Sequence, residues 1–192
     1  MPDTAYPTAK FTHPDVTAKG EARAQVAWTG LKTLWLNTGT LCNIECGNCY
    51  IESSPKNDRL VYLTPGDVTP FLDEIAGEVE IGITGGEPFM CPDILPIMEE
   101  ILRRGHSLLF LTNAMRPMMR PRIREGLVRL RDEGLAGKLT LRVSLDSHAP
   151  ALHDAERGQG AFGEACTGLQ WLTAEGPGAS IPGGSASLSR FP

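Results

Sequence analysis

Three cysteines lie within a stretch of eight residues, at Cys42, Cys46 and Cys49. Thiolates at spacings of four and three residues can converge on one site when a flexible loop wraps around it, and thiolates are ligands of iron–sulfur clusters and of zinc. A closed structural site requires four ligands, and only three are local. The spacing therefore indicates a metal centre with one open coordination position, where a substrate or cofactor can bind directly.

The isolated Cys91 leaves an alternative open. If it joins the three clustered cysteines, the four thiolates form a closed zinc or cluster site, and the chain is a non-catalytic iron–sulfur or zinc-binding module. Cys166 lies in a predicted helix and is expected in the core. His148 and His153 follow the fourth predicted strand, where we expect solvated loop side chains rather than ligands.

A second motif, Gly85-Gly86-Glu87-Pro88, closes the second predicted strand. Because glycine has no Cβ, a ligand can approach the backbone there and bind its free N–H and C=O groups. The Glu87 carboxylate can meet an ammonium group, and Pro88 fixes the turn. The motif predicts a contact with a small molecule on the same face as the cysteines.

The elements that position these motifs follow from the hydrophobic pattern, which predicts alternating strands and helices. The predicted strands are Lys32–Asn37, Glu78–Thr84, His106–Thr112 and Lys138–Leu145. The predicted helices are Thr64–Ala76, Asp93–Arg104, Arg120–Leu135 and Gly163–Ala174. Successive βα units imply parallel strands joined by right-handed crossovers, with the loops after the strands on one functional face. The pattern therefore predicts an α/β fold.

The two ends of the chain depart from this pattern. The sequence of residues 1–31 predicts an irregular lead-in with a short helix near Gly20–Trp28. From residue 174 onward Gly, Ser and Pro predominate, which predicts a disordered tail over residues 174–192 and leaves 32–173 as the core. We interpret the abrupt change near Glu175 as a frameshift or premature truncation.

Composition excludes several classes of protein. The 192 residues carry 18 basic and 23 acidic side chains, a net charge of -5, so there is no basic field to hold nucleic acid. No apolar run approaches the roughly 20 residues that span a bilayer, and the N-terminus lacks the apolar core of a signal peptide. Five cysteines, three of them clustered, are typical of a reducing compartment. We therefore expect a cytoplasmic protein without nucleic-acid or membrane partners.

Together the motifs resemble those of the radical S-adenosylmethionine (radical SAM) superfamily. The CxxxCxxC loop of that superfamily is matched by the three clustered cysteines, and its GGEP motif is matched by Gly85–Pro88. The resemblance continues at Leu111–Ala114 and Val143–Ser147, after the third and fourth predicted strands, and covers residues 32–173. The superfamily core is a partial barrel of six βα units. The resemblance thus implies a parallel (β/α) partial TIM-type barrel, of which this sequence supplies four units.

The resemblance also implies a cofactor chemistry. The three cysteines would hold a [4Fe-4S] cluster, and S-adenosylmethionine would chelate the fourth iron through its amino and carboxylate groups. An electron from the cluster would cleave S-adenosylmethionine reductively to methionine and a 5′-deoxyadenosyl radical, which abstracts hydrogen from a substrate. The electron would come from a low-potential donor of flavodoxin or ferredoxin type. The resemblance names neither the substrate nor a catalytic residue.

The resemblance also implies which residues contact the cofactor. The Gly85–Glu87 turn would contact the methionine amino group, and Pro88, which closes the motif, is placed with it among the cofactor-binding residues. Where other members carry an aromatic residue near adenine this chain has Asn48, and Tyr50 would take over part of that surface. Polar residues at the ends of the third and fourth strands would lie near the ribose or carboxylate, namely Thr112, Asn113, Ser144 and Asp146. Such residues are equally suited to capping helices.

Overall fold

The computed structural model describes residues 11–177. Within this range the chain forms four strands and five α-helices. In chain order they are β1 (Thr33–Asn37), α1 (Pro65–Asp73), β2 (Glu80–Thr84), α2 (Ile94–Arg103), β3 (Ser107–Thr112), α3 (Pro121–Asp132), β4 (Leu139–Val143), α4 (Pro150–Arg157) and α5 (Ala161–Ala174). Two short 3₁₀ turns, Pro88–Met90 and Leu135–Lys138, precede α2 and β4.

The four strands form one parallel sheet in the order β1-β2-β3-β4. The register aligns Leu36, Ile83, Phe110 and Leu141 in one row across the sheet. Each strand is followed by at least one helix, as a parallel sheet requires, because its strands are joined by crossover connections. The predicted α/β fold of four βα units is confirmed.

The hydrophobic core packs helices α2 and α3 against one face of the sheet. Alternation in the central strands β2 and β3 places every second side chain on this face. The fully buried members of the core include Ile81, Ile83, Leu108 and Phe110 from the strands and Ile94, Ile97, Met98, Ile101, Ile123 and Leu127 from the helices. Burial of this apolar surface, at about 25 cal/mol per Å², holds the sheet and helices together.

The opposite face of the sheet is more open. Trp35 in β1 is 49% exposed, and its register partner in β2 is Gly82. The ring of Trp35 covers Gly82 so closely that a Cβ there would lie 2.4 Å from the ring. Glycine at position 82 therefore lets the indole lie flat across the neighbouring strand.

Because all four strands are parallel, their carboxyl ends share one edge of the sheet. The loops that begin at residues 38, 85, 113 and 144 leave from this edge. They carry the cysteines, the Gly-Gly-Glu-Pro turn and the polar residues after β3 and β4. The topology thus brings the sequence motifs to one side of the molecule.

The structure adds α4, which we expected to be a loop. His153 in this helix is fully buried rather than solvated, and its ring packs edge-on against Phe162 with the centroids 5.8 Å apart. A helix here was readable from Pro150 at the first helical position and Gly158 just past the end. His148, in contrast, is exposed as expected.

The N-terminal segment differs from expectation. The predicted helix near Gly20–Trp28 is wrong, because this stretch is irregular and an antiparallel bridge joins Val16 to Ala22. Val26 and Trp28 are 93% and 79% exposed, and a short helix without a buried apolar face is marginal in water. The described residues fall into two compact units, one ending at Gly30 and the other beginning at Leu31.

The predicted tail, residues 174–192, is described only in its first four residues. Ala174 ends α5, and residues 178–192 lie outside the described part of the chain. No helix in residues 11–177 has the length and apolar character needed to cross a bilayer.

Candidate active site

The loop after β1 wraps around a cavity of about 220 Å³ at the carboxyl edge of the sheet. The lining combines all three clustered cysteines with backbone and polar groups from the later loops. The lining residues are Cys42, Ile44, Cys46, Asn48, Cys49, Tyr50, Ser53, Thr84, Gly85, Gly86, Leu111, Thr112, Asn113, Ser144 and Arg157. Of the residues predicted to contact a cofactor, only Glu87, Pro88 and Asp146 are missing from this lining.

Each of the three sulfur atoms in the cavity has an N–H group facing it. The pairs are Asn113 Nδ2 to Cys42 Sγ at 3.9 Å, Arg157 Nη1 to Cys46 Sγ at 4.0 Å and Ser53 N to Cys49 Sγ at 3.2 Å. The donors differ in chemistry: one is a side-chain amide, one a guanidinium and one a backbone amide. Sulfur ligands of a metal centre are commonly oriented and tuned by such donors.

Burial disfavours the charged form of two of the three thiols, those of Cys42 and Cys46. Burial raises the pKa of Cys42 to about 11, and burial also raises the pKa of Cys46, where the Arg157 guanidinium acts in the opposite direction. Metal binding must therefore release protons from these groups. A cationic iron centre bound by these thiolates would supply positive charge that favours their deprotonated form.

The three clustered cysteines line one cavity, as the ligands of an iron–sulfur cluster would. Among residues 11–177, no three His, Cys, Asp or Glu side chains converge closely enough to hold one metal ion. In a [4Fe-4S] cluster each cysteine ligand binds a different iron, so the sulfurs surround a space rather than meet at a point. Three sulfurs lining one cavity meet that requirement.

Cys91 does not join the clustered cysteines. It is fully buried in the hydrophobic core, and its Sγ lies 3.3 Å from the Leu63 carbonyl oxygen, to which it donates. It is also not part of the cavity lining. The structure therefore gives no support to a closed four-thiolate site. Cys166 in α5 is half-buried rather than in the core.

The Gly85-Gly86 pair lets the cysteine loop lie directly on the turn after β2. Gly86 N–H donates to the Gly39 carbonyl at 2.8 Å, and Glu87 N–H donates to the Leu41 carbonyl at 3.1 Å. A Cβ on Gly86 would lie 2.1 Å from the Leu41 oxygen, and one on Gly85 would lie 2.8 Å from the Gly39 oxygen. Gly85 also has φ +141, in the region that favours glycine. The two glycines line the cavity while holding its wall together.

Glu87 is placed differently from the sequence expectation. Its side chain is 1% exposed and points into the protein instead of lining the cavity. The carboxylate accepts hydrogen bonds from Thr112 Oγ1 at 2.8 Å, Asn113 N at 2.8 Å and Phe89 N at 3.1 Å. It therefore joins the turn after β2 to the loop after β3. Pro88 begins the adjacent 3₁₀ turn and is buried too.

Asn113 extends this network to the cysteine loop. Its side-chain Nδ2 donates to Asn43 Oδ1 at 2.9 Å, and its Oδ1 accepts from Met115 N at 3.0 Å. Thr112, whose hydroxyl is bonded to Glu87, also lines the cavity, as does Ser144. Tyr50 is at the rim, with 80% of its surface exposed.

Arg157 is a site residue that the sequence interpretation missed. Its Nε and Nη2 donate to the two carboxylate oxygens of Asp146 at 2.6 and 2.9 Å. This pairing lowers the pKa of Asp146, and Asp146 N–H donates to Nδ1 of the buried His153 at 3.2 Å. Asp146 thus supports Arg157 rather than lining the cavity. Recognising α4 from its terminal Pro and Gly would have drawn attention to its last residue.

The close approach at Gly86 gives a first prediction. Gly86→Ala should lower the free energy of unfolding by about 1–3 kcal/mol, because the new methyl group overlaps the Leu41 carbonyl and must displace the cysteine loop. Gly47→Ala, in the cysteine loop itself, is the matched control, since a Cβ at Gly47 has no atom within 4 Å. Urea unfolding of the purified variants measures both. Equal stability of the two variants would contradict the close contact.

Glu87 gives a second prediction. Burial raises the pKa of Glu87 to about 7, although its three hydrogen-bond donors act the other way. A carboxyl whose folded-state pKa exceeds its unfolded value of about 4.3 binds a proton in the folded state between those values. Its contribution to the free energy of unfolding therefore decreases as pH rises through that window. Glu87→Gln should remove this decrease.

Urea unfolding at several pH values between about 4.3 and 7 tests this slope. Glu125→Gln, at an exposed position on α3, is the control and should keep the wild-type pH dependence. The same pH dependence in Glu87→Gln and wild type would show that Glu87 does not titrate in this range.

Comparisons with known proteins agree with this geometry. The family model of the Radical SAM superfamily matches residues 36–184, which includes the start of the segment expected to be a tail. The chain is 30% identical over 136 residues to the antilisterial bacteriocin subtilosin biosynthesis protein AlbA of Bacillus subtilis (strain 168), covering 70% of this chain and 29% of that protein. It is 30% identical over 142 residues to the mycofactocin maturase MftC of Mycobacterium tuberculosis (strain ATCC 25618 / H37Rv), covering 70% and 32%.

Among solved structures, SuiB of Streptococcus suis bound to precursor peptide SuiA matches with a TM-score of 0.60 and 19% identity, over 75% of this chain and 30% of that one. This likeness supports a partial barrel fold. The chain spans about a third of the length of the curated relatives it matches. The family match covers most of the sequence, and the chain belongs to the radical SAM superfamily.

Proposed function

We propose that this chain is the cofactor-binding part of a radical SAM enzyme, which holds a [4Fe-4S] cluster on Cys42, Cys46 and Cys49. The observation that supports it most directly is the single cavity lined by all three sulfurs, each with its own N–H donor. When bound, the cluster and S-adenosylmethionine supply the electron and the hydrogen-abstracting group that start radical chemistry. The proposed core comprises residues 32–173.

The chain's own groups would bind and orient S-adenosylmethionine in the rest of the cavity. The exposed backbone groups of Gly85 and Gly86 suit its ammonium group, and the guanidinium of Arg157 suits its carboxylate. Thr112, Asn113 and Ser144 provide polar contacts for the ribose. Glu87 and Asp146, which sequence reasoning placed in contact with the cofactor, would act by holding these groups in position.

The aromatic side chain of Tyr50 would cover the adenine ring at the open rim of the cavity. A low-potential electron donor of the flavodoxin or ferredoxin type would dock close to this rim, because the cysteine loop reaches the surface there. All five cysteines are free thiols, which supports a reducing compartment such as the cytoplasm.

We further propose a peptide as the substrate. AlbA takes part in biosynthesis of a bacteriocin, MftC is a maturase, and SuiB has been crystallised with a precursor peptide. The sheet face that carries Trp35, which is 49% exposed, also carries Leu111 of the cavity lining, and a large substrate would lie on this face.

The cluster proposal predicts a selective response to cysteine substitution. After anaerobic reconstitution with iron and sulfide, the wild-type chain should bind iron and, once reduced, show an EPR signal that changes when S-adenosylmethionine is added. Cys46→Ala should lose most of the iron, because the site then has only two thiolates. Cys91→Ala is the matched control and should retain wild-type iron content, since Cys91 lies in the core. Loss of iron in the Cys91 variant would favour the closed metal module instead.

The substrate proposal predicts a response to peptides. Short peptides encoded beside the gene, added to the reduced and reconstituted full-length protein, should increase the rate at which S-adenosylmethionine is cleaved. The measurement is the amount of 5′-deoxyadenosine and methionine formed with and without each peptide. Scrambled peptides of the same composition are the control. No increase with any encoded peptide would contradict a peptide substrate and leave cluster binding unaffected.

A further inference from the structure

Arg157 places a fixed positive charge next to the cysteine site. Among residues 11–177 it is the one basic side chain that lines the cavity, and its side chain is only 17% exposed. Its Nη1 lies 4.0 Å from Cys46 Sγ. Limited exposure matters because solvent and salt screen a buried charge much less than a surface charge.

Two independent contacts fix the distance between Arg157 and Cys46. On the arginine side, the bidentate pair with Asp146 uses Nε and Nη2 and leaves Nη1 to face the sulfur. On the cysteine side, Gly47 N–H donates to the Glu156 carbonyl at 3.1 Å, which ties the cysteine loop to the last turn of α4. The guanidinium is therefore held beside the sulfur by two contacts. One is its own ion pair with Asp146, and the other is the backbone hydrogen bond between Gly47 and Glu156.

The other two donors at the cysteines carry no net charge. Cys42 faces the amide of Asn113, and Cys49 accepts from a backbone N–H group. Dipoles of this kind orient a ligand, whereas a full charge changes the energy of adding an electron to the site. The Asp146 carboxylate lies on the other edge of the guanidinium, so the positive end of the pair is directed to the sulfur.

We propose that Arg157 raises the reduction potential of the cluster bound by Cys42, Cys46 and Cys49, and that Asp146 is the positioning residue that directs it. This inference rests on the proposed function. Reduction adds one electron, taken from an external one-electron donor, and increases the negative charge of the cluster and its thiolates by one. A fixed cation stabilises the reduced state more than the oxidised state, and local charge is one of the factors that set cluster potentials.

The test is a redox titration of the reconstituted full chain with dithionite, followed by EPR, with no S-adenosylmethionine present. Omitting the cofactor separates this effect from any contact between Arg157 and its carboxylate. Arg157→Gln should have a more negative midpoint potential than wild type. We expect the ratio of reduced to oxidised cluster at a fixed potential to fall about tenfold, which corresponds to about 59 mV for a one-electron couple. Arg129→Gln, on the exposed surface of α3, is the control and should match wild type.

Asp146→Asn distinguishes positioning from simple charge. If Asp146 contributed only its negative charge, its removal would raise the potential. If it directs Arg157, the released guanidinium moves into solvent and the potential falls, which is the result we expect. A rise in potential would overturn the assignment of Asp146.

Several results would separate this inference from the proposed function. No iron in the reconstituted wild-type chain would contradict the proposed function itself. A wild-type cluster with the same potential in Arg157→Gln would overturn the inference alone. If Arg157→Gln does not assemble a cluster, Arg157→Met, which keeps an apolar chain in the half-buried site, replaces it. Failure of both variants to assemble would also count against the inference, because a residue that only tunes potential is not required for assembly.

Discussion

The buried carboxylate of Glu87 accepts hydrogen bonds from three donors: Phe89 in the turn after β2, Thr112 at the end of β3 and Asn113 in the loop after β3. A carboxyl group removed from water is costly unless its oxygens are satisfied, so any arrangement that separates these loops leaves polar groups unpaired in the interior. The loop after β3 is thereby fixed against the turn after β2. Asn113, whose backbone N–H is one of the three donors, then reaches the cysteine loop through Asn43. A single interior carboxylate thus sets the relative positions of three of the loops around the cavity.

The second constraint is steric. The cysteine loop lies so close to the turn after β2 that Gly86 has no space for a Cβ, and two backbone hydrogen bonds join the segments. The glycine pair therefore has a structural reason independent of any ligand. The same contact brings the backbone of Gly85 and Gly86 into the cavity wall beside the three sulfurs. The glycine pair thus has two effects. It lets the cysteine loop pack closely on the turn after β2, and it leaves the polar backbone of that turn open to a ligand.

The sequence predicted the elements better than the contacts between them. All four strands begin and end within two residues of their predicted limits, because short apolar runs between turn residues are a local signal. The spacing of the three clustered cysteines was enough to predict that they share one site, and all three line the same cavity. The role of Glu87 was not predicted, since whether a carboxylate points into a cavity or away from it depends on donors 25 and 26 residues further along the chain. The same holds for Arg157, whose partner Cys46 is 111 residues away in the sequence.

The balance of charge in the cavity explains why Arg157 lies beside Cys46, although the two residues are far apart in the sequence. Burial is the largest influence that raises the pKa of Cys42 and of Cys46, and three thiolates in a partly enclosed cavity would repel one another. Arg157 offsets this at Cys46, but among residues 11–177 it is the one basic side chain that lines the cavity. The protein therefore has too little positive charge to stabilise three thiolates by itself. The proposed cluster would supply the remaining positive charge, because its iron is cationic.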